Sequence, residues 1–175
     1  MLSSTIPAPP RPPYRVMPLT EEQAAALCEW RYEAPFTFYQ WLSWADMQAQ
    51  EREFGDPAIR REQYAAVLDA DDAFIGFAQF FPLAGVTRLG LGLRPDLCGR
   101  GAGLGFVQAI VREAIRRAPG NEIDLEVHAW NERAIAVYER AGFVVSDHYE
   151  LATARGSEQI LCMVYPDGRV QFPSQ

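Results

Sequence analysis

Residues 98–105 read Cys98-Gly99-Arg100-Gly101-Ala102-Gly103-Leu104-Gly105, and an apolar repeat of helical spacing begins directly after them. Glycines let the backbone adopt positive φ angles and let a ligand approach its N–H groups closely. The start of a helix adds further N–H groups and a partial positive charge, and Arg100 adds a full one. This stretch is therefore typical of a loop that binds a pyrophosphate between a strand and a helix.

Two better-known phosphate motifs do not fit the same residues. A P-loop ends in Gly-Lys-Ser/Thr, which this sequence lacks. A dinucleotide fingerprint would place a glycine where Phe106 stands and would open the first βαβ unit, whereas antiparallel strands are predicted before this loop. These differences argue against a nicotinamide-dependent oxidoreductase. A glycine-rich turn that binds no ligand remains an alternative to a phosphate-binding loop.

Composition limits the class of protein. The chain has 175 residues, of which 49% are hydrophobic and 22% charged, as expected for one globular domain with a real core. The formal net charge of -7 argues against a nucleic acid or an anionic membrane as partner, and it is compatible with a cationic amine.

The cysteines indicate whether a metal site or disulfides are expected, and the N-terminal residues indicate where the protein is located. Cys28, Cys98 and Cys162 are far apart and form no CxxC or His–Cys cluster, so we expect neither a metal site nor a disulfide framework. The first thirteen residues lack the basic and apolar regions of a signal peptide, and we expect a cytoplasmic protein. Residues 1–12 are rich in proline and are predicted to be a disordered tail before one domain over 13–175.

Periodicity predicts a mixed α/β fold. The strands are expected at 14–20, 63–68, 73–81, 87–94, 123–128, 143–151 and 158–165, and the helices at 20–30, 44–52, 106–118 and 132–141. In the strand at 123–128, Asp124, Glu126 and His128 alternate with apolar residues, which predicts a half-buried strand. Asn131 can cap the helix that follows, and Gly142 can end it in a left-handed conformation.

A second motif lies about thirty residues after the glycine loop. It consists of Asn131, Ala134, Tyr138, Gly142 and Phe143 along one short helix. The two motifs together resemble the GNAT superfamily of N-acetyltransferases, whose nucleotide motif Gln/Arg-x-x-Gly-x-Gly/Ala stands here at residues 100–105. The stretch at 125–131 is similar to the ribosomal-protein alanine acetyltransferase branch of that superfamily.

The resemblance implies a mostly antiparallel central sheet that contains a splayed parallel strand pair, with helices on both faces. It also implies acetyl-CoA as co-substrate and no metal. The pyrophosphate would lie on the glycine loop and the pantetheine arm between the strands that end near Leu93 and His128. The implied cofactor-binding residues are Leu91, Leu93, Arg100, Gly101, Ala102, Gly103, Leu104, Gly105, Asn131 and Ala134.

The resemblance also implies the catalytic groups. Tyr138 matches the tyrosine that protonates the departing CoA sulfur, although its helical stripe alone would suggest a core aromatic. Glu126 matches a catalytic glutamate of the alanine acetyltransferase branch and is the candidate base. A solvated strand residue is the alternative for Glu126, and His128 or a water molecule is the alternative base.

Aromatic residues crowd the segment at 30–44, which shapes the acceptor site in this superfamily. Trp30, Tyr32, Phe36 and Tyr39 are therefore candidate acceptor-binding residues, with core packing as the alternative. The expected activity is acetyl transfer to a primary amine, either a small molecule or a protein N-terminus, by direct attack in a ternary complex. A catalytically silent acyl-CoA-binding module of the same fold is the second hypothesis, and a homodimer is left open.

Overall fold

A computed structural model describes residues 9–153 and 156–166 of the chain. Most of the predicted disordered tail, residues 1–8, lies outside the described residues. In its described part, the Arg11 N–H donates to Asp69 Oδ2 at 3.3 Å, and the Arg11 carbonyl accepts from Ala70 N–H at 2.8 Å. Residues around Arg11 therefore lie against the turn between two strands.

The elements follow closely the order that periodicity predicts. The described strands and helices, in chain order, are β1 (Arg15–Pro18), α1 (Glu21–Cys28), α2 (Trp44–Ala49), α3 (Pro57–Gln63), β2 (Tyr64–Leu68), β3 (Phe74–Leu83), β4 (Val86–Leu93), α4 (Gly103–Arg117), β5 (Glu122–His128), α5 (Glu132–Ala141), β6 (Val144–Thr153) and β7 (Gly156–Tyr165).

The described strands form one seven-stranded sheet in the order β1-β2-β3-β4-β5-β7-β6. β1 pairs antiparallel with β2, and β7 pairs antiparallel with both β5 and β6. β4 and β5 pair in parallel, from Val86 opposite Glu122 to Leu89 opposite Leu125. The predicted fold, a mixed α/β domain with a mostly antiparallel sheet and one parallel pair, is confirmed.

The chain divides into two compact units, and β3 and β4 contribute to both. Unit 1 comprises the described residues up to Ala78 together with Leu91–Phe106, and unit 2 comprises Gln79–Gly90 together with the described residues from Val107 onward. The glycine loop, the end of β4 and the first residues of α4 therefore belong to unit 1, whereas the rest of α4 and all of α5 belong to unit 2.

Unit 1 has an apolar core built by its helices and strands. Leu27, Met47, Phe54 and Tyr64 are fully buried at its centre, and Trp30, Trp41 and Trp44 pack against them. Local signals in the sequence fix the helices. The Thr20 hydroxyl accepts from Gln23 N–H at 3.2 Å and the Gln23 side chain accepts from Thr20 N–H at 3.0 Å, a complete capping box for α1.

Helix α3 was not predicted, although its start has a sequence signal. Asp56 accepts from the N–H groups of Ala58 and Ile59 at 2.7 and 3.1 Å, and Pro57 occupies the first helical position. An Asp–Pro pair of this kind marks helix starts, because the Asp oxygen satisfies free N–H groups and the proline has none to satisfy.

In unit 2, α5 follows the prediction closely. The Asn131 side chain accepts from Ala134 N–H at 3.2 Å, and Gly142 ends the helix with a φ of 108°. On α4, Glu113 accepts hydrogen bonds from Arg116 and Arg117, and the hydrogen bond from Arg116 is the main cause that lowers the pKa of Glu113.

The predicted half-buried character of β5 is wrong for two residues. Asp124 and His128 are 8% and 7% exposed, so they are buried like the apolar residues between them. Burial of polar groups requires partners, and both have them. Arg88 pairs with Asp124, and Glu158 lies against His128. Glu126 alone of the three is exposed.

Within the described residues, no helix combines the length and the apolar character that crossing a membrane requires.

Candidate active site

The glycine loop of unit 1 has the open backbone that the sequence predicts. Gly99 and Gly101 have φ angles of 75° and 82°, and apart from their chain neighbours no residue has an atom within 4 Å of the position that a Cβ would take. Positive φ explains why glycine is favoured at both positions. Gly105 has a different reason, because a Cβ there would lie 3.0 Å from Tyr14 Cε2.

The remaining residues of the loop lie where it turns into helix α4. The helix begins at Gly103, and the buried Ala102 accepts a hydrogen bond from Phe106 N–H at 3.0 Å through its carbonyl. Arg100 and Leu104 are half-buried. The loop therefore combines an arginine, a helix start and exposed glycine backbone, which are the groups that hold a pyrophosphate.

The end of β4 joins a predicted cofactor residue to a predicted acceptor residue. The Tyr32 hydroxyl donates to the Leu93 carbonyl at 2.8 Å, and the backbone of Arg94 continues the strand by donating to the Ile75 carbonyl at 2.8 Å. Leu91 and Leu93 are both half-buried. Unit 1 thus brings Tyr32 onto the strand whose backbone is predicted to bind pantetheine.

Some side chains of the aromatic segment at 30–44 pack in the core of unit 1. Trp30 is half-buried, with its ring 5.3 Å from that of Phe74 between centroids. Tyr39 meets Tyr32 edge-on at 6.5 Å, and Phe36 is half-buried in the same segment. Trp30 therefore has a packing role, whereas Tyr32 and Tyr39 form a partly exposed aromatic pair.

In unit 2, Glu126 belongs to a cluster of polar side chains on β4, β5 and β7. Arg88 Nη1 donates to Glu126 Oε1 at 2.8 Å, while its Nε and Nη2 donate to the two carboxylate oxygens of Asp124 at 3.0 and 2.7 Å. Cys162 Sγ lies 4.0 Å from Glu126 Oε1. The candidate base is therefore held in place by an arginine that sequence reasoning did not single out.

The two neutral neighbours of Glu126 keep their protons at neutral pH. Burial and then the charge of Glu126 raise the pKa of Cys162. Burial, the charge of Glu126 and a hydrogen bond to it raise the pKa of Tyr149 on β6. Glu126 therefore faces one cation and two protonated groups, in addition to the nearby carboxylate of Asp124.

The alternative base, His128, contacts Glu158 and Trp130 rather than the cluster around Glu126. Its Nδ1 is 2.8 Å from Glu158 Oε2, and its ring stacks on Trp130 with 5.3 Å between centroids. Trp130 Nε1 also donates to Glu158 at 3.5 Å. These contacts explain how a histidine predicted to face solvent is buried.

Helix α5 carries the second sequence motif. Asn131 is buried, and its side-chain oxygen caps the helix by accepting a hydrogen bond from Ala134 N–H. Asn131 and Ala134, both predicted to bind the cofactor, are therefore hydrogen-bonded to each other. Tyr138 is half-buried, with its ring 6.0 Å from the buried Phe143. The predicted residues are thus shared between the units: the loop, Leu91 and Leu93 in unit 1, and Glu126, Asn131, Ala134 and Tyr138 in unit 2.

The fold and these positions can be compared with known families. A family model described as an acetyltransferase (GNAT) domain matches residues 15–144. The chain belongs to the GNAT acetyltransferase family. GNAT acetyltransferases use acetyl-CoA, and the match covers both the glycine loop and the helix that carries Tyr138. Because the match is to the general GNAT domain, the resemblance to the alanine acetyltransferase branch stays a prediction.

Solved GNAT structures are similar to this chain in fold. An acetyltransferase (GNAT family) from Bacillus anthracis is 12% identical, with a TM-score of 0.70 over 88% of this chain and 95% of that one. A spermidine/spermine N-acetyltransferase from Vibrio cholerae in complex with manganese ions is 17% identical, with a TM-score of 0.65 over 86% and 91%. A dodecameric spermidine N-acetyltransferase from the same organism is 16% identical, with a TM-score of 0.65 over 86% and 92%.

Over residues 9–153 and 156–166, no group of three or more His, Cys, Asp or Glu side chains is placed to hold a metal ion. The residue that sequence reasoning missed is Arg88. A signal for it exists, because an arginine at this position of β4 points to the same face as Gly90 and interrupts an apolar strand. Reading that signal requires knowing that Asp124 stands opposite.

Proposed function

We propose that this GNAT protein is an acetyl-CoA-dependent N-acetyltransferase that acts on a primary amine by direct attack in a ternary complex. The observation that carries the proposal is the glycine loop of unit 1. Gly99 and Gly101 have positive φ and open space at their Cβ positions, and Arg100 stands between them at the entrance to α4. A backbone of this kind fits a pyrophosphate, because phosphate oxygens can approach where side chains would otherwise stand.

Bound acetyl-CoA would supply the acetyl group as a reactive thioester. The residues proposed to hold it are those of the loop at 100–105, the backbone of Leu91 and Leu93, and Asn131 with Ala134. Acetyl transfer forms one N–C bond and breaks the C–S bond of the thioester. Starting from the ammonium form, the nitrogen loses one proton before attack and a second when the amide forms, the sulfur gains one proton, and one proton is released to solvent. The protein therefore needs a group that accepts a proton and a group that donates one.

Glu126 is the proposed proton acceptor, directly or through water. A primary amine is largely protonated at neutral pH and cannot attack until a proton leaves it. Glu126 is an exposed carboxylate, fixed at 2.8 Å from Arg88 Nη1. Tyr138 is the proposed proton donor to the sulfur, and its position in the second GNAT motif supports that role. Cys98 needs no role, because direct attack forms no acyl-enzyme.

The proposed acceptor is a small cationic amine. Two of the similar solved structures are spermidine or spermidine/spermine N-acetyltransferases, and the net charge of -7 suits a cationic substrate. Trp30, Tyr32, Phe36 and Tyr39 are the proposed acceptor-binding residues, since aromatic faces attract ammonium groups. A protein N-terminus is the acceptor that the alanine acetyltransferase resemblance favours, and the assay below includes it.

The proposal is tested by acetyl-CoA-dependent release of free thiol with polyamines, aminoglycosides, amino acids and N-terminal peptides. Release with an amine supports the proposal and identifies the acceptor class. In the variants Y138F and E126Q, kcat is expected to fall by about 10²- to 10⁴-fold, while acetyl-CoA binding is retained. Binding of acetyl-CoA without release on any amine would favour a silent acyl-CoA-binding module instead.

The proposal also covers the cellular location and the oligomeric state of the protein. We propose a cytoplasmic protein that forms a homodimer or a larger assembly, and one similar structure from Vibrio cholerae is a dodecamer. Light scattering on the purified chain measures the assembly, and a monomeric mass would contradict this part.

A further inference from the structure

Arg88 occupies an unusual position for a surface arginine, because all three of its nitrogens donate to carboxylates on the neighbouring strand. Nε and Nη2 grip both oxygens of Asp124 at 3.0 and 2.7 Å, and Nη1 reaches Glu126 Oε1 at 2.8 Å. A bidentate grip fixes the plane of a guanidinium, so the position of its third nitrogen is fixed as well.

We propose that Arg88 is a positioning residue for acetyl transfer. Anchored on Asp124, it holds the carboxylate of Glu126 in the orientation in which that carboxylate accepts the proton of the amine. This inference rests on the proposed function, in which Glu126 is the base.

The register of the sheet makes Asp124 the fixed part of the cluster. Arg88 and Asp124 stand directly opposite each other in the parallel ladder of β4 and β5. The Asp124 side chain is 11% exposed and that of Glu126 is 32% exposed. Removing the counter-ion of a buried carboxylate costs much free energy, because the charge is left without water. A more exposed carboxylate stays accessible to water or a substrate. Asp124 therefore anchors the arginine, and Glu126, held by that arginine, is the carboxylate that a ligand can reach.

The surroundings of Glu126 leave the orienting role to Arg88. From β7, the Cys162 thiol lies 4.0 Å from Glu126, beyond the distance of a strong hydrogen bond. From β6, Tyr149 also hydrogen-bonds to Glu126, but it is a neutral donor, whereas Arg88 carries a charge. The hydrogen bond from Arg88 is charge-assisted and comes from a side chain that is already fixed at two other points. It is therefore the contact that defines the direction of the carboxylate.

A lysine cannot reproduce this arrangement. Its ammonium is a single point of charge on a flexible stem, so it can pair with Asp124 but lacks the rigid fork that reaches both carboxylates at once. The variant R88K thus keeps a cation beside the buried Asp124 and removes the orientation of Glu126. Misplacing a reacting group by about 1 Å can lower a rate by about 100-fold.

The experiment is a double-mutant cycle on the full chain with the variants R88K, E126Q and R88K/E126Q. The amine is the best acceptor from the panel above. In R88K, kcat is expected to fall by about 10- to 100-fold while KM for acetyl-CoA is unchanged. In the double variant, kcat is expected to equal that of E126Q, because Arg88 acts only through Glu126. The matched control is R116Q, which breaks an ion pair of 2.7 Å on α4 in the same unit and should leave kcat as in the wild type.

Four other outcomes overturn the inference, and they differ in what else they overturn. Wild-type kcat in R88K, together with a large loss in E126Q, removes the role of Arg88 and leaves the proposed function intact. Additive losses in the double variant show that Arg88 acts on structure and not through Glu126. Full kcat in E126Q removes Glu126 as the base and the role of Arg88 with it, whereas no transfer by the wild type on any amine overturns the proposed function itself.

If R88K does not fold, the variant D124N tests the same inference. D124N leaves Arg88 in place and removes the charge that anchors it, so the orientation of Glu126 should be lost in part. We expect a fall in kcat smaller than in E126Q and no further fall when D124N is combined with E126Q. Wild-type kcat in a folded D124N would overturn the anchoring role of Asp124.

Discussion

Replacing Gly101 by alanine separates phosphate binding from backbone strain, because the chain offers a matched control. Gly101 has a φ of 82°, and Gly120, just after α4, has a φ of 89°. Apart from the chain neighbours, no residue has an atom within 4 Å of the Cβ position at either glycine. The variants G101A and G120A therefore introduce the same strain into the same amount of open space, and only Gly101 belongs to the proposed phosphate loop.

The size of the strain follows from the backbone angle. A left-handed conformation costs a non-glycine residue about 1–2 kcal/mol, and the stiffer unfolded chain of the alanine variant offsets about 0.4–1 kcal/mol of this. Both variants should therefore lose about 1 kcal/mol of unfolding free energy, or about 2–4 °C in Tm for a chain of this size. The two losses should be equal, because neither added methyl group meets a neighbour.

The binding of CoA should distinguish the two variants. A methyl group at Gly101 stands where phosphate oxygens would approach the loop, so G101A should bind CoA at least about 10-fold more weakly, which is about 1.4 kcal/mol. G120A should bind CoA as the wild type does. Calorimetric titration with CoA gives both affinities, and titration with pantetheine, which has no pyrophosphate, should show no difference among the three proteins.

Equal affinity of G101A and G120A for CoA would refute the assignment of the loop, provided that both have lost the same stability. A loss of pantetheine affinity in G101A would refute it as well, because the change would then reach beyond the pyrophosphate.

Three further outcomes follow from packing and charge. The variant G76A should lose about 1–3 kcal/mol in urea unfolding, because its Cβ would lie 2.4 Å from Phe106 Cε2, and an unchanged midpoint would contradict this packing. The variant E126Q should speed alkylation of Cys162 by iodoacetamide at pH 8, since the charge of Glu126 helps to raise the pKa of that thiol; an unchanged rate by mass spectrometry would contradict the contact. The pKa of Glu113 is lowered from 4.5 by its arginine partners on α4, so the stability it contributes is present above pH 4.5 and is lost as the pH falls through the lowered pKa. E113Q should therefore have a lower Tm than the wild type at pH 7 and a smaller difference at pH 3, and a difference as large at pH 3 as at pH 7 would contradict this.

Much of the fold could be predicted because its signals are local. Thr20 and Asn131 cap their helices through atoms no more than three residues away, and Gly142 ends α5 by its own φ. The strands β2, β3 and β4 were predicted to within a few residues by their apolar runs and short links. The missed helix α3 also has a local signal, at Asp56 and Pro57, which lies within an otherwise polar stretch.

The site could be predicted only in part. The residues of the glycine loop predict its role by themselves, whereas the role of Tyr138 is implied by the family resemblance, and both roles stay predictions until variants are measured. Asp124 and His128 were placed in solvent by alternation, and the structure buries both. A prediction from alternation takes every polar side chain of a strand to face water. That prediction fails where a charged residue of another strand pairs with the polar side chain and allows its burial.

What the sequence by itself determined is the set of elements, the glycine loop before α4 and membership of a family with two motifs. Each of these rests on residues close together in the chain, where backbone angles and capping bonds decide the outcome. Only the tertiary structure decided that Arg88 meets Asp124 and Glu126, which follow it by 36 and 38 residues. The physical reason is the register of the parallel strands β4 and β5: a shift of one residue would turn Arg88 to the opposite face, and no local pattern in either strand fixes that register.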